Sequence, residues 1–88
     1  MARVIIYTTR FCPYCYVAKG RLDELGLAYD EIDLSGDREM RRKLVELAGG
    51  RKSVPQIFID GRSIGGYTDL EALLRSGELQ RMLDAARR

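Results

Sequence analysis

The chain contains two cysteines, Cys12 and Cys15, in the segment Cys12-Pro13-Tyr14-Cys15. A zinc site requires four ligands, and the sequence has no further cysteine and no histidine, so the pair does not predict a metal centre. A purely structural disulfide over so short a loop would contribute only about 2 kcal/mol through chain entropy. Two thiols at this spacing, beside a strand-to-helix junction, predict thiol–disulfide exchange instead.

The junction assigns different roles to the two sulfurs. Pro13 suits the first position of a helix, because its missing N–H would have no partner there. Cys12 is then the N-cap, with its sulfur beside the free N–H groups of the first turn, whereas Cys15 lies one turn into the helix. We therefore predict that Cys12 is the nucleophile and that the less exposed Cys15 is the resolving thiol.

A free thiol has a pKa of about 8.5 and is mostly protonated at neutral pH. The helix dipole contributes at most about 2 kcal/mol, or about 1.5 pKa units, to a thiolate at Cys12. A larger shift requires N–H···S hydrogen bonds from Tyr14 and Cys15, or a nearby cation. Arg10 and Lys19 are the candidate cations in the sequence.

Composition predicts one globular domain over residues 1–88, with 45% apolar and 32% charged residues. The net charge is only +2 and the basic residues are interspersed with acidic ones, so no nucleic-acid partner is predicted. We expect Arg41-Arg42 and Arg87-Arg88 to be solvated helix faces. No apolar run approaches the roughly 20 residues of a membrane span, and the opening residues lack a signal-peptide layout. These features predict a cytoplasmic protein with no membrane partner.

Apolar periodicity predicts the order β-α-β-α-β-β-α, with strands over 3–8, 28–34, 56–59 and 62–64. The first helix should run from Pro13 to about Leu25, and a second should bury Met40, Leu44, Leu47 and Ala48. A third helix should follow the last strand. After a break at 76–77, a short final helical segment should carry Leu79, Met82 and Leu83. The first βαβ unit makes a parallel pair, so the whole is an α/β, thioredoxin-like fold: a four-stranded mixed sheet flanked by helices.

Two local motifs predict a turn and a helix start in the second half of the chain. Asp60-Gly61 predicts a two-residue hairpin between the last two strands. Thr68 and Glu71 have the spacing of a capping box, with Thr68 as N-cap and Glu71 at the third helical position.

On these residues the chain resembles the class I, dithiol glutaredoxins over essentially its whole length. The segments that carry the resemblance are Cys12-Pro13-Tyr14-Cys15, Ser53-Val54-Pro55, Gly65-Gly66-Tyr67-Thr68-Asp69-Leu70 and Ser76-Gly77-Glu78-Leu79. A lone Cys-x-x-Cys is only moderately specific, but all four segments in this order and spacing are specific.

The resemblance implies a glutathione-binding groove, formed here by Arg10, Tyr14, Lys52, Val54, Pro55, Gly66, Tyr67, Thr68 and Asp69. It implies a cis peptide bond before Pro55, which frees the Val54 backbone to pair with the substrate. Gly66 would allow close approach of the ligand. The N–H groups of Thr68 and Asp69 would receive the γ-glutamyl carboxylate.

Two further roles and one departure follow from the same resemblance. It implies that Tyr14 packs on the tripeptide and that Lys52 binds its glycine carboxylate as a point charge. Relatives usually carry lysine three residues before the first cysteine, where this chain has Thr9. Arg10, at the next position, is the candidate replacement for that charge.

The implied activity is reduction of protein disulfides and glutathione mixed disulfides, with glutathione as co-substrate and no bound cofactor or metal. The implied partners are glutathione and disulfide-containing or glutathionylated proteins, with ribonucleotide reductase among the candidate clients, and the protein is expected to be a monomer. Two alternatives stay open: a redoxin reduced by thioredoxin reductase, and a dimer that holds an iron–sulfur cluster between two copies of Cys12 and two glutathiones. Residues 65–69 disfavour the first alternative, and Pro13 with Cys15 disfavours the second.

Overall fold

The computed structural model describes residues 2–85, so the predicted solvated pair Arg87-Arg88 lies outside the described residues. The described residues form β1 (Val4–Thr8), α1 (Pro13–Glu24), β2 (Asp30–Asp33), α2 (Arg38–Leu47), β3 (Gln56–Ile59), β4 (Arg62–Gly65), α3 (Tyr67–Ser76) and α4 (Glu78–Ala85). The predicted order of elements is confirmed, and the short last segment forms its own helix, α4. Within residues 2–85, none of the helices has the length and apolar character needed to cross a membrane.

The four strands form one sheet in the order β2-β1-β3-β4. β1 pairs in parallel with β2 and antiparallel with β3, and β4 is antiparallel to β3, which confirms the predicted mixed sheet. Asp60 and Gly61 connect β3 to β4 with φ angles of 50° and 81°, as the predicted hairpin turn requires. The central position of β1 explains its nearly continuous apolar sequence, since both of its faces are covered.

Alternate residues of the sheet enter separate apolar clusters on its two faces, because successive strand side chains point to opposite sides. The first cluster joins the sheet to α1, α3 and α4 and consists of Val4, Ile6, Ala18, Leu22, Ile57, Ile59, Leu70 and Leu79. The second joins it to α2 and consists of Tyr7, Leu34, Leu44 and Phe58. Helices pack on both faces of β1, and the N-cap and first turn of α1, which follows β1, carry Cys12 and Cys15.

Two predictions about this framework are wrong in detail. Leu47 was expected in the apolar stripe of α2 but is 58% exposed; α2 ends there, and the residues that pack on the second cluster come from its earlier turns. The second strand is also shorter than the predicted 28–34, because only Asp30–Asp33 lies in strand register with β1, although the Leu34 N–H still donates to the Thr8 carbonyl at 2.8 Å.

The start of α3 differs from the predicted capping box. The helix begins at Tyr67, so Gly66 is the N-cap and Thr68 already lies in the first turn. The Asp69 carboxylate accepts a hydrogen bond from the Gly66 N–H at 2.9 Å. Glu71 instead accepts one from Arg21 of α1 at 2.7 Å. The cap is therefore shifted by two residues from the predicted position, and only its Asp69 half forms because Gly66 has no side chain.

Candidate active site

The first cysteine caps the helix that follows β1, as predicted. Cys12 has extended backbone angles and is the N-cap of α1, with Pro13 at the first helical position. The Cys15 N–H donates to Cys12 Sγ at 3.1 Å, which is one of the two N–H···S bonds anticipated; none from Tyr14 is found. The first turn of α1 contains no acidic residue. The sulfur of Cys12 thus occupies the position where a helix best stabilises an anion.

The two cysteines are joined by a disulfide, with their Cα atoms 5.2 Å apart. Cys12 is 6% exposed and Cys15 only 1%. Cys15 is less accessible because it shares the inner face of α1 with Ala18 and Leu22. A substrate disulfide therefore reaches Cys12 more readily than Cys15. Among residues 2–85, no group of three or more cysteine or carboxylate side chains is arranged to hold a metal ion.

A cis peptide bond joins Val54 to Pro55, as the resemblance implies. The carbonyl oxygen of Val54 lies 3.6 Å from Cys12 Sγ. Gly66 packs against the same turn, where a Cβ atom would lie only 3.2 Å from the Pro55 carbonyl oxygen. The segment before β3 and the start of α3 therefore meet directly beside the reactive sulfur.

A groove of about 300 Å³ opens at this meeting point. Its lining residues are Tyr14, Arg51, Ser53, Val54, Pro55, Gly66, Tyr67 and Thr68. The rings of Tyr14 and Tyr67 stack at a centroid distance of 6.3 Å and an interplanar angle of 26°. The groove thus combines an aromatic wall, a strand-like backbone edge and the N-terminus of α3, which is suited to a small extended anionic ligand.

An ion pair between Arg51, which lines the groove, and Asp69 lies beside the groove. Asp69 bonds to the Gly66 N–H, and its carboxylate lies 2.9 Å from Arg51 Nη2. Burial, the largest single influence, favours the neutral acid, but the Gly66 N–H and Arg51 together hold the pKa of Asp69 below its ordinary value. Gly65 has a φ of 102°, and a Cβ there would overlap both charged groups. Glycine at this position therefore makes room for the pair.

The structure brings most of the predicted groove residues together and leaves three out of the groove lining. Asp69 does not line the groove but contacts Gly66 and Arg51, which do. Lys52 is exposed and does not line the groove; its carbonyl accepts a long, 3.5 Å bond from Arg41. Arg10 lines a different concavity, which it shares with Cys12. Sequence reasoning missed Arg51, the cation that the groove does contain. No local signal in the sequence marks Arg51, because its contact with Asp69 joins residues eighteen positions apart.

The second candidate cation for Cys12 has other partners. Lys19 Nζ lies 3.0 Å from a carboxylate oxygen of Glu31 and 4.7 Å from the centre of the Tyr16 ring. Hydrogen bonds, first from the Thr8 hydroxyl and then from Lys19, lower the pKa of Glu31. The contacts of Lys19 therefore do not support the predicted role as a cation for the thiolate.

The fold and the site together define a class. A four-stranded mixed sheet with helices on both faces carries a Cys-x-x-Cys pair at the start of its first helix. A cis-proline turn lies against the first cysteine. This combination defines a thioredoxin-like thiol–disulfide oxidoreductase.

Comparison with known proteins identifies the family within that class. The glutaredoxin family model matches residues 4–64. Glutaredoxin 1 of Rickettsia conorii is 44% identical over 82 residues, which cover 92% of this chain and 80% of that protein. A solution structure of glutaredoxin from Brucella melitensis has a TM-score of 0.82 at 44% identity and covers 94% of this chain and 89% of its own. A crystal structure of a buckwheat glutaredoxin–glutathione complex has a TM-score of 0.80 at 31% identity, and the match covers 93% of this chain and 76% of that one. The chain belongs to the glutaredoxin family.

Proposed function

We propose that this protein uses glutathione to reduce protein disulfides and glutathione mixed disulfides, with Cys12 as nucleophile and Cys15 as resolving thiol. The observation that carries the proposal is the position of the groove beside Cys12. Val54 lines the groove, and its carbonyl oxygen lies 3.6 Å from Cys12 Sγ. The glutathione complex of the buckwheat relative supports the same choice of ligand.

The charges of the groove match those of the tripeptide. Glutathione has carboxylates at both ends and an ammonium group beside the γ-glutamyl carboxylate. In the proposed pose, the N–H groups of Thr68 and Asp69 receive the γ-glutamyl carboxylate, and the Asp69 side chain meets the ammonium group. The cysteine of glutathione pairs with the Val54 backbone. Arg51, which lines the groove beside Asp69, supplies a positive charge at the same γ-glutamyl end.

The proposed reaction on a glutathionylated protein has two displacements. The Cys12 thiolate attacks the glutathione sulfur, the bond from that sulfur to the protein breaks, and the protein thiolate leaves and takes up a proton. The thiolate of a second glutathione then attacks the glutathione now bonded to Cys12, which gives glutathione disulfide and regenerates the Cys12 thiolate. Alternatively, Cys15 displaces that glutathione and forms the Cys12–Cys15 disulfide seen in the structure.

Reduction of a protein disulfide requires both cysteines. Cys12 attacks one sulfur of the substrate and forms a mixed disulfide, and Cys15 then displaces the reduced protein and leaves Cys12–Cys15 oxidised. Two glutathiones reduce this pair. Glutaredoxin potentials of about −200 to −230 mV permit this in a compartment with a reduced glutathione pool, such as the cytoplasm.

The test compares wild type with Cys12→Ser and Cys15→Ser, using glutathione, glutathione reductase and NADPH consumption. We expect both activities of Cys12→Ser to fall by more than about a hundredfold, because the attacking thiolate is absent. Cys15→Ser should retain turnover of a glutathione mixed disulfide but lose reduction of a protein disulfide. Equal loss of both activities in Cys15→Ser would contradict the assigned roles. Rapid turnover with thioredoxin reductase in place of glutathione would contradict the choice of reductant.

A further inference from the structure

Large apolar side chains are exposed around the reactive sulfur, on the side away from the groove. Phe11 is 90% exposed and Tyr16 is 63% exposed, and both line one concavity together with Cys12. Neither lines the glutathione groove. Single exposed apolar residues are ordinary, but a cluster of them beside an active site indicates a surface that binds a protein.

Two concavities meet on this side of Cys12. The first, of about 680 Å³, is lined by Arg10, Phe11, Cys12, Pro13 and Tyr16. The second, of about 520 Å³, extends from Arg10 and Phe11 to Arg38 and Arg41 at the beginning of α2. They share Arg10 and Phe11, so they form one continuous surface. Neither concavity shares a residue with the glutathione groove, so both surfaces are free to be occupied together.

The charge of this surface is net positive, because three arginines line it against one carboxylate, Asp37, with Asp33 close enough to Arg10 to be influenced by its charge. Among residues 2–85, neither Arg10 nor Arg38 nor Arg41 forms an ion pair with a carboxylate. The one carboxylate that lines the second concavity, Asp37, accepts a hydrogen bond from a backbone N–H at the start of α2. The guanidinium groups are therefore available for carboxylates of another molecule, which they can bind in bidentate geometry.

The loop that carries these side chains is held in place. The Arg10 N–H donates to Ser35 Oγ at 2.7 Å, and the Ser35 N–H donates to Asp33 at 2.8 Å. That Ser35 backbone bond is the main reason that the pKa of Asp33 is low, with a smaller contribution from Arg10. The loop after β1 is thus tied to the loop before α2, and a preorganised surface loses less entropy when it binds a partner.

We propose that this surface, which we call the arginine face (Arg10, Phe11, Tyr16, Arg38 and Arg41), binds the segment of a protein substrate that surrounds its reactive cysteine. The preferred segment carries acidic side chains near that cysteine and an apolar side chain against Phe11. This inference rests on the proposed function, because it names the class of protein that reaches Cys12. Complementary charge acts mainly on the rate of encounter and on the choice between substrates.

The test uses two glutathionylated peptides that share one sequence except for aspartates or lysines beside the modified cysteine. The mixed disulfide of free cysteine with glutathione, which lacks any flanking segment, is the third substrate. For wild type at low ionic strength, we expect kcat/KM to be about fivefold higher for the acidic peptide than for the basic one. In about 0.5 M salt the preference should fall below about twofold, because exposed charges are screened.

The charge-reversed variant Arg38→Glu/Arg41→Glu should lose rate with the acidic peptide and gain rate with the basic one. A gain of rate is a result that misfolding does not produce. The matched control is Arg62→Glu, the same change at an exposed arginine of β4 outside both concavities, and it should keep the wild-type preference. Equal rates for the two peptides with wild type, or an unchanged preference in the double variant, would contradict the proposed role of the arginine face in substrate choice. Failure of wild type to turn over the cysteine–glutathione disulfide would contradict the proposed function instead.

Discussion

Two helices, α1 and α3, begin beside the active site, and their N-termini are satisfied in different ways. At α1 the acceptor is the sulfur of Cys12, which takes the Cys15 N–H, and the first turn carries no acidic residue. At α3 the acceptor is the Asp69 carboxylate, which takes the Gly66 N–H and is paired with Arg51. Both helices attract negative charge at this end, but only α3 carries a permanent anion there.

The difference separates a reacting group from a supporting one. A carboxylate in the first turn of α1 would repel the Cys12 thiolate and raise the pKa of the thiol. Because that turn carries no carboxylate, the helix dipole stabilises the thiolate without this repulsion. The carboxylate of α3 fixes the loop that presents Tyr67 and Thr68 to the groove. We therefore predict that charge added to the first helix changes the reactivity of Cys12, whereas charge removed from the second changes stability and glutathione binding without changing the reactivity of Cys12.

The largest expected effect comes from placing a carboxylate at the first helix. In a Cys15→Ser background, which leaves one thiol, Pro13→Glu should raise the pKa of Cys12 by about one unit through repulsion. The rate of alkylation at pH 7 should fall by up to about tenfold, as measured with iodoacetamide over a pH series. Pro13→Gln has the same size without the charge and serves as the control. An equal decrease in both variants would show that proline, and not charge, determines the reactivity.

A smaller effect is expected at the second helix, where the observed and the sequence-predicted caps can be compared directly. Asp69→Ala should lower the free energy of unfolding by about 1 kcal/mol, because the Gly66 N–H and Arg51 lose their partner. Thr68→Ala should change it by less than about 0.5 kcal/mol, since an ordinary surface change has little effect. Urea denaturation measures both values. A larger loss of stability for Thr68→Ala than for Asp69→Ala would instead support Thr68 as the N-cap, as the sequence predicted.

The smallest effect is the pH dependence of that same cap. The pKa of Asp69 is lower in the folded protein than its ordinary value of 3.8, so the folded state favours the ionised form. The stabilisation is therefore fully present above about pH 5 and is lost as the pH falls below about 4 and through the folded pKa. The difference in stability between wild type and Asp69→Ala should narrow over that range. A difference that grows on acidification would contradict the direction of the shift.

Sequence alone predicted those features that depend on neighbouring residues. The Cys12 cap follows from Pro13 beside it, and the hairpin follows from Asp60-Gly61, because turn and cap geometry are local properties. The mixed character of the sheet followed from the sequence of elements, because a βαβ unit makes a parallel pair and a hairpin adds antiparallel strands.

The features that sequence missed depend on distant contacts. Arg51 enters the groove only because α3 brings Asp69 to it, eighteen positions further along the chain. Thr68 and Glu71 have the spacing of a capping box, but the tertiary contact of Glu71 with Arg21 and the bond of Asp69 to Gly66 place the cap elsewhere. The exposure of Leu47 depends on where α2 ends against the sheet. None of these distances is encoded in the local pattern.

The outer strand β2 has a consequence for the protein at high concentration. Three of its four residues, Asp30, Glu31 and Asp33, are acidic and exposed, and β2 forms one border of the sheet. An unpaired border strand is a template on which another copy can add its own strand. Two copies that met along β2 would bring these carboxylates together, and Arg3 and Lys19 offset only part of their charge, so this border disfavours growth into larger aggregates.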